Sequence, residues 1–399
     1  MTSIDLAKAR RATRADRWVS FNSRPLEITL LYLLTRISRV LRVPGIGVIV
    51  SDAQTMRSIF MDGEHFSKTA EGGTSALWDP VLQGPGLLNM SGESHLDLKR
   101  KLAPMFNARY LEETIGSALA SETARLKQNL LNGEEVDLVK SIEVTAARVI
   151  CTLSGYDLDN TEESEVLKQL ENARGLLRFV KLGTKKLTEE QAALGRSEIS
   201  QLHAKIHEAY DTDRIGTIPH ALKGFGLSKQ ETTSVITALV IAGTETVLSH
   251  LPRFTALLLR SDYLKELEPN QDFSDVIEEG LRVTVPTPVT LRGVERQITI
   301  KKHTVRPGDR IMLATIFACA RLGTFNPTRQ MPKEYRHLWF GAGVHMCIGL
   351  PLATLEIQKY LEMLVTVNQQ KTLELKKSRI RRGNLTAAYR ELVIACRTS

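Results

Sequence analysis

Apolar residues recur at three- and four-residue spacing through much of the chain. Over 115–154, 162–181 and 188–211 this spacing predicts helices, and the stretch from about 91 to 262 reads as mostly helical. Nearer the N-terminus, "LEITLLYLLTRISRVLRV" predicts an amphipathic helix running into a strand. "RVLRVPGIGVIVSDAQTMRSIF" then reads as strand, turn, strand and helix, with β-branched residues at 48–50 and a turn at Pro44 and Gly45. β-rich parts are expected near 38–52, 283–315 and 366–397. No repeat, low-complexity run or Pro/Ser linker divides the chain. The fold class expected is therefore mainly α with a small β region, as a single domain over 1–399.

One predicted helix departs from the surface pattern. "SKQETTSVITALVIAGTETVLSHLPRFTALLLR" runs from Ser228 to Arg260. Ser228 and Glu231 fit a capping box. Residues 235–242 are almost wholly apolar, which predicts burial on all sides. "GTET" then interrupts the apolar run as a weak, polar waist: Gly243 costs about 1 kcal/mol against Ala inside a helix, and Thr244, Glu245 and Thr246 need polar partners at that depth. A buried helix with a polar waist suits a bound ligand.

Composition narrows the function. The 399 residues carry a net charge of +8 and four cysteines, Cys151, Cys319, Cys347 and Cys396. Scattered cysteines fit a reducing cytosol better than a disulfide framework, and no signal-peptide pattern opens the chain. Cytoplasmic localisation is expected. The N-terminal apolar stretch is interrupted by Glu27, Arg36, Arg39 and Arg42 and is too short for a membrane span. Its remaining alternative is a helix on a membrane surface. The one basic cluster, "KKSRIRR" (376–382), lacks interleaved aromatics, which argues against nucleic acid.

Cys347 sits in "FGAGVHMCIGLPLATLE", between glycines and a helix start. Helix amides stabilise a thiolate, Pro351 is tolerated in a first turn, and glycines let a flat group approach. A haem with an axial thiolate meets these demands, and so, on spacing alone, does an inert buried cysteine.

"FGAGVHMCIG" resembles the haem-binding loop of the cytochrome P-450 family, with Phe340, Gly343, Cys347 and Gly349 at its fixed positions. "EGLR" resembles the family's Glu-x-x-Arg helix and "AGTET" its oxygen-activating segment, in the family's order. The resemblance spans the chain from about residue 38. It implies heme b (iron protoporphyrin IX), with Cys347 as the iron ligand and Phe340, Gly341, Gly349 and Ala242 against the cofactor. It implies a structural pair, Glu279 and Arg282, with a third partner among Arg329, Arg336 and His337. Glu245 and Thr246 match the acid–alcohol pair that delivers protons. The residue after the alcohol, often a small hydroxyl in the family, is Val247 here. His95, Arg292 and His345 match propionate partners. Lys99 stands where the family has Arg, giving a point charge instead of a planar fork. Val289, Leu239 and Leu385 fall where the family lines its substrate pocket.

The function implied is a soluble, bacterial-type haem-thiolate monooxygenase that places one atom of O2 in a small organic substrate. With no flavin or iron–sulfur segment in the chain, electrons are expected from a separate ferredoxin and ferredoxin reductase, or a flavodoxin-type donor. A monomer is expected. The alternatives are a peroxide-driven haem-thiolate peroxygenase, which should not need Glu245 and Thr246, and a non-catalytic haem-binding sensor. Arg174, Arg178 and Lys181, spaced to share a helix face in "NARGLLRFVKLG", raise an anionic substrate as a further expectation.

Overall fold

The computed structural model describes residues 5–156, 162–180, 183–384 and 386–397. Helices α1 (Leu6–Ser23) and α2 (Pro25–Ile37) lead into strands β1 (Val40–Val43) and β2 (Gly47–Val50) and helix α3 (Ala53–Met61). Strand β3 (Phe66–Ser67) follows, then α4 (Ser75–Leu82), α5 (Gly92–Leu102), α6 (Ala108–Leu131), β4 (Val136–Asp137), α7 (Leu138–Ser154) and α8 (Glu163–Gly175). Next come α9 (Glu189–Glu198), α10 (Ser200–Asp211), α11 (Ile218–Gly224), the long α12 (Lys229–Arg260) and α13 (Ser274–Thr284). The chain closes with β5 (Thr290–Val294), β6 (Ile298–Ile300), β7 (His303–Val305), β8 (Arg310–Leu313), α14 (Thr315–Ala320), α15 (Leu350–Gln370), β9 (Leu373–Arg381) and β10 (Ala388–Cys396).

The mainly α class and all three expected β parts are present. The N-terminal and middle β parts form one sheet, ordered β1-β2-β8-β5-β3, in which β2 and β8 pair in parallel with Val48 opposite Ile311. The C-terminal strands pair with β4 in a separate sheet. The helical reading of 115–154 is broken between α6 and α7. Gly133 turns the chain at φ +89°, and Asp137, already paired with Val393, caps α7 through the Val139 amide. Helix α1 escaped the sequence reading because its buried stripe is small and polar: Ala9, Ala12, Thr13, Asp16 and Ser20. That stripe meets α12, where Arg253 donates twice to Asp16 at 2.8 Å.

Helix α12 starts as predicted. Ser228 and Glu231 close a reciprocal capping box. The helix runs through "GTET" to Arg260, as expected. The helix is continuous, and its hydroxyls are satisfied within it: Thr244 donates to Val240 O at 2.9 Å and Thr246 to Ala242 O at 3.1 Å. By length and composition α12 could cross a membrane, but 72% of its most apolar window is buried inside the protein. It is the central core helix.

Candidate active site

From Thr232 to Leu258 every residue of α12 is buried except Leu239, Ala242, Gly243 and Thr246. Their spacing of three, four and seven residues puts them on one stripe of the helix. All four line a cavity of about 460 Å³, and Cys347 lines the same cavity.

The Cys347 loop is shaped by its own backbone. The Cys347 amide donates to Phe340 O at 2.9 Å, closing the loop. Gly341 and Gly343 adopt φ of +78° and +66°, a region side chains disfavour, and a Cβ on Gly343 would come within 2.9 Å of Phe60 O. Phe340, Gly341 and Gly349 line the cavity with Cys347. Helix α15 begins only at Leu350, three residues after the cysteine, with Pro351 in its first turn. Burial raises the Cys347 thiol, opposed by the Gly349 and Leu350 amides and by Lys68 and Lys99.

Basic groups gather at one part of the cavity. His95 Nε2 and His345 Nδ1 lie 3.2 Å apart. Arg292 is 3% exposed and sits over the Phe60 ring. Lys99 donates to Val344 O at 2.8 Å and Met346 O at 2.7 Å, so it clamps the cysteine loop as well as lining the cavity. Lys68, which sequence reasoning missed, joins them. Its Nζ donates to Leu87 O at 2.6 Å, and burial, with Arg292 adding repulsion, pushes it down to about 7. His95 is likewise pushed down to about 4 by burial and by Lys68.

Nothing in the cavity wall neutralises this cluster. Among the described lining residues the carboxyls are Glu245, engaged elsewhere, and Glu356, which burial pushes up to about 8 and so keeps neutral. His95 Nδ1 is buried without a partner. The set suits an anionic group lying beside the thiol, and haem, with two propionates and an iron for Cys347, has that chemistry. No cluster of three or more His, Cys, Asp or Glu among the described residues could hold a metal on its own.

Glu245 is 2% exposed and held by two arginines. Arg174 Nε of α8 donates to it at 2.9 Å, and the same guanidinium donates to Glu143 of α7 at 2.8 Å. Arg381, at the end of β9, is its other ion-pair partner. These contacts overturn the sequence-based grouping of Arg174, Arg178 and Lys181. Arg174 is turned inward to Glu245, Arg178 pairs with Glu198 at 2.6 Å, and Lys181 lies outside the described residues. Helical spacing alone could not show that acidic partners on other elements take up both arginines.

Glu279 and Arg282 form a buried pair at 2.6 Å, and Arg282 also donates to Cys319 O at 2.8 Å. Of the three candidate partners, Arg329 is the one beside Glu279, at 3.9 Å. Leu239 and Val289 line the cavity; Leu385 lies outside the described residues.

A family model described as Cytochrome P450 matches residues 273–379, which include Glu279, Arg282 and Cys347. The mycinamicin IV hydroxylase/epoxidase of Micromonospora griseorubida is 24% identical over 79% of this chain and 81% of its own length. The C-19 steroid 1alpha-hydroxylase of Sorangium cellulosum is 26% identical over 75% and 78%. The fold matches the structure of P450BioI in complex with hexadec-9Z-enoic acid ligated acyl carrier protein, with a TM-score of 0.78 at 22% identity, covering 94% of this chain and 99% of that one. It also matches epothilone D-bound P450epoK, at TM-score 0.76, 18% identity and coverage of 95% and 97%. The family model spans the Glu279–Arg282 pair and the Cys347 loop, and the relatives and solved structures match over most of the chain: in sequence and fold this chain is similar to the cytochrome P450 haem-thiolate monooxygenases.

Proposed function

We propose that this enzyme oxidises a neutral, largely apolar small molecule, with electrons from a separate acidic donor. The observation that carries the substrate class is the cavity wall, where Leu77, Trp78, Leu88, Ile150, Leu239 and Val289 are apolar. The anionic-substrate reading loses its support, since Arg174 and Arg178 are both ion-paired. Relatives named for mycinamicin IV and for a C-19 steroid fit this reading.

Cys347 would ligate the haem iron, and Arg292, His95, His345, Lys68 and Lys99 would face the propionates. When bound, haem supplies dioxygen activation, placing one oxygen atom in the substrate and releasing the other as water. The protein manages the protons. The Thr246 hydroxyl gives its hydrogen to Ala242 O, which leaves its oxygen lone pairs to accept a hydrogen bond from a donor in the cavity. Glu245 is one residue away and carries the carboxylate able to move protons inward. This pair favours a monooxygenase over the peroxygenase alternative, which has no need of it.

The surface over the cysteine loop supports an acidic electron donor. Met61 and Val344 are exposed there, and Gly343 packs against Met61. Arg57 reaches across to the Arg336 carbonyl, and Lys333 shares a shallow hollow with Arg57 and Met61. An apolar centre beside Arg57 and Lys333, with Glu334 in the same hollow, suits an acidic ferredoxin.

The substrate class is tested by titrating the haem protein with matched neutral and carboxylated apolar ligands and following the spin-state shift. Neutral ligands should bind at least tenfold more tightly. Tighter binding of the carboxylates would overturn the reading.

A further inference from the structure

Helix α2 is apolar on the side that faces the protein and on the side that faces away. Ile28 and Leu31 are buried against Ile49, Met312 and Phe317. The opposite side presents Leu26, 88% exposed, then Leu30, Leu33 and Ile37, the last 72% exposed. Their spacing of four, seven and eleven residues makes one continuous stripe along the whole helix. Tyr32 is exposed beside it. A helix apolar all round is ordinarily enclosed; this one has one face covered by the protein and one face in solvent. Of the large hydrophobic side chains exposed among the described residues, five fall within these thirteen positions.

We propose that α2 seats the enzyme on an anionic membrane surface, lying in the interface with Leu26, Leu30, Leu33 and Ile37 among the acyl chains. The charge around the stripe selects this occupant. Arg36 is exposed in the last turn of α2, and Arg39 follows just beyond it, its side chain 67% exposed although it reaches Asp52 at 3.5 Å. Leucines on one face with arginines at the border are the composition of an interfacial helix, where apolar burial and attraction to anionic headgroups add. The chain's net charge of +8 works in the same direction.

At 13 residues, α2 is too short to span a bilayer, which needs roughly 20. It lies on the surface.

The test uses the full-length haem protein and a Leu26→Gln/Leu33→Gln double variant. Both substituted side chains are exposed, so folding should be retained, and the haem spectrum and melting temperature check this. Each protein is sedimented with vesicles of phosphatidylcholine alone and of phosphatidylcholine mixed with phosphatidylglycerol. The expected result is binding of the unsubstituted protein to the mixed vesicles, at least tenfold weaker to neutral ones, and at least tenfold weaker for the variant. No sedimentation with mixed vesicles overturns the proposal. So does equal binding by the variant, or equal binding to neutral vesicles. A dimer in analytical ultracentrifugation that the variant dissociates, without vesicle binding, would instead assign the stripe to a second copy.

Discussion

Arg174 Nε donates to Glu245 Oε2 at 2.9 Å, so the acid that stands next to Thr246 is held from α8, and Arg381 holds it from β9. An enclosed carboxylate with two guanidinium partners has a fixed position. To pass a proton toward the cavity it must act from within that clamp or leave one partner.

Replacing Glu245 by Gln removes the ionisable group and keeps the amide-sized shape. Turnover should fall by about 10²-fold or more, with an enlarged solvent isotope effect, while substrate spin-state titration stays unchanged. Arg174→Leu should act differently. It leaves Glu245 with one guanidinium and Glu143 without this partner, so stability should drop by about 3 kcal/mol. Denaturation and NADPH-coupled turnover, measured on the same preparations, separate the two effects. Unchanged turnover in Glu245→Gln would remove Glu245 from proton delivery.

Glu279 and Arg282 are each 1% exposed and lie at the base of the cysteine loop's supporting segment. Glu279 Oε1 also accepts from the Asn326 amide at 2.7 Å, tying α13 to the chain that leads to the loop. Glu279→Gln leaves Arg282 buried without its counter-charge. The expected loss is roughly 3–5 kcal/mol, read by urea unfolding, together with poor haem retention. A loss under about 1 kcal/mol, the size of an exposed pair, would contradict a locking role.

Glu356 lies in α15, 3% exposed, and lines the cavity. Burial raises its carboxyl from the ordinary 4.5 to about 8. Between those values the unfolded chain is ionised and the folded chain is protonated, so the folded state holds more protons. Stability attached to this group is therefore full below pH 4.5 and is lost as pH rises toward 8, at up to about 1.4 kcal/mol per pH unit. Glu356→Gln should flatten the decline of stability between pH 5 and 8. Parallel pH profiles for the two proteins would show that Glu356 is ionised in the folded state.

What the sequence made legible was local. The Cys347 loop, the α12 cap and the Glu279–Arg282 spacing each lie within a few residues, so their chemistry can be read along the chain. Contacts made by folding were not legible. Lys68 carries no pattern in "FSKTA"; it matters because β3 ends beside the cavity's basic corner. The partners of Glu245 come from positions 71 residues before it and far after it. How the polar waist of α12 is satisfied also needed coordinates: Thr246 bonds back to Ala242 O, and Glu245 is held from other elements. The choice of Arg329 over Arg336 and His337 likewise needed distances.

The central claim is that Cys347 is the iron ligand, and the carbon monoxide spectrum of the reduced haem protein tests it most directly. The account predicts the red-shifted Soret band of thiolate-ligated haem in the unsubstituted protein, and its loss in Cys347→His with haem still bound. A band at the position of imidazole-ligated haem in the unsubstituted protein, or a thiolate band that survives Cys347→His, would contradict it.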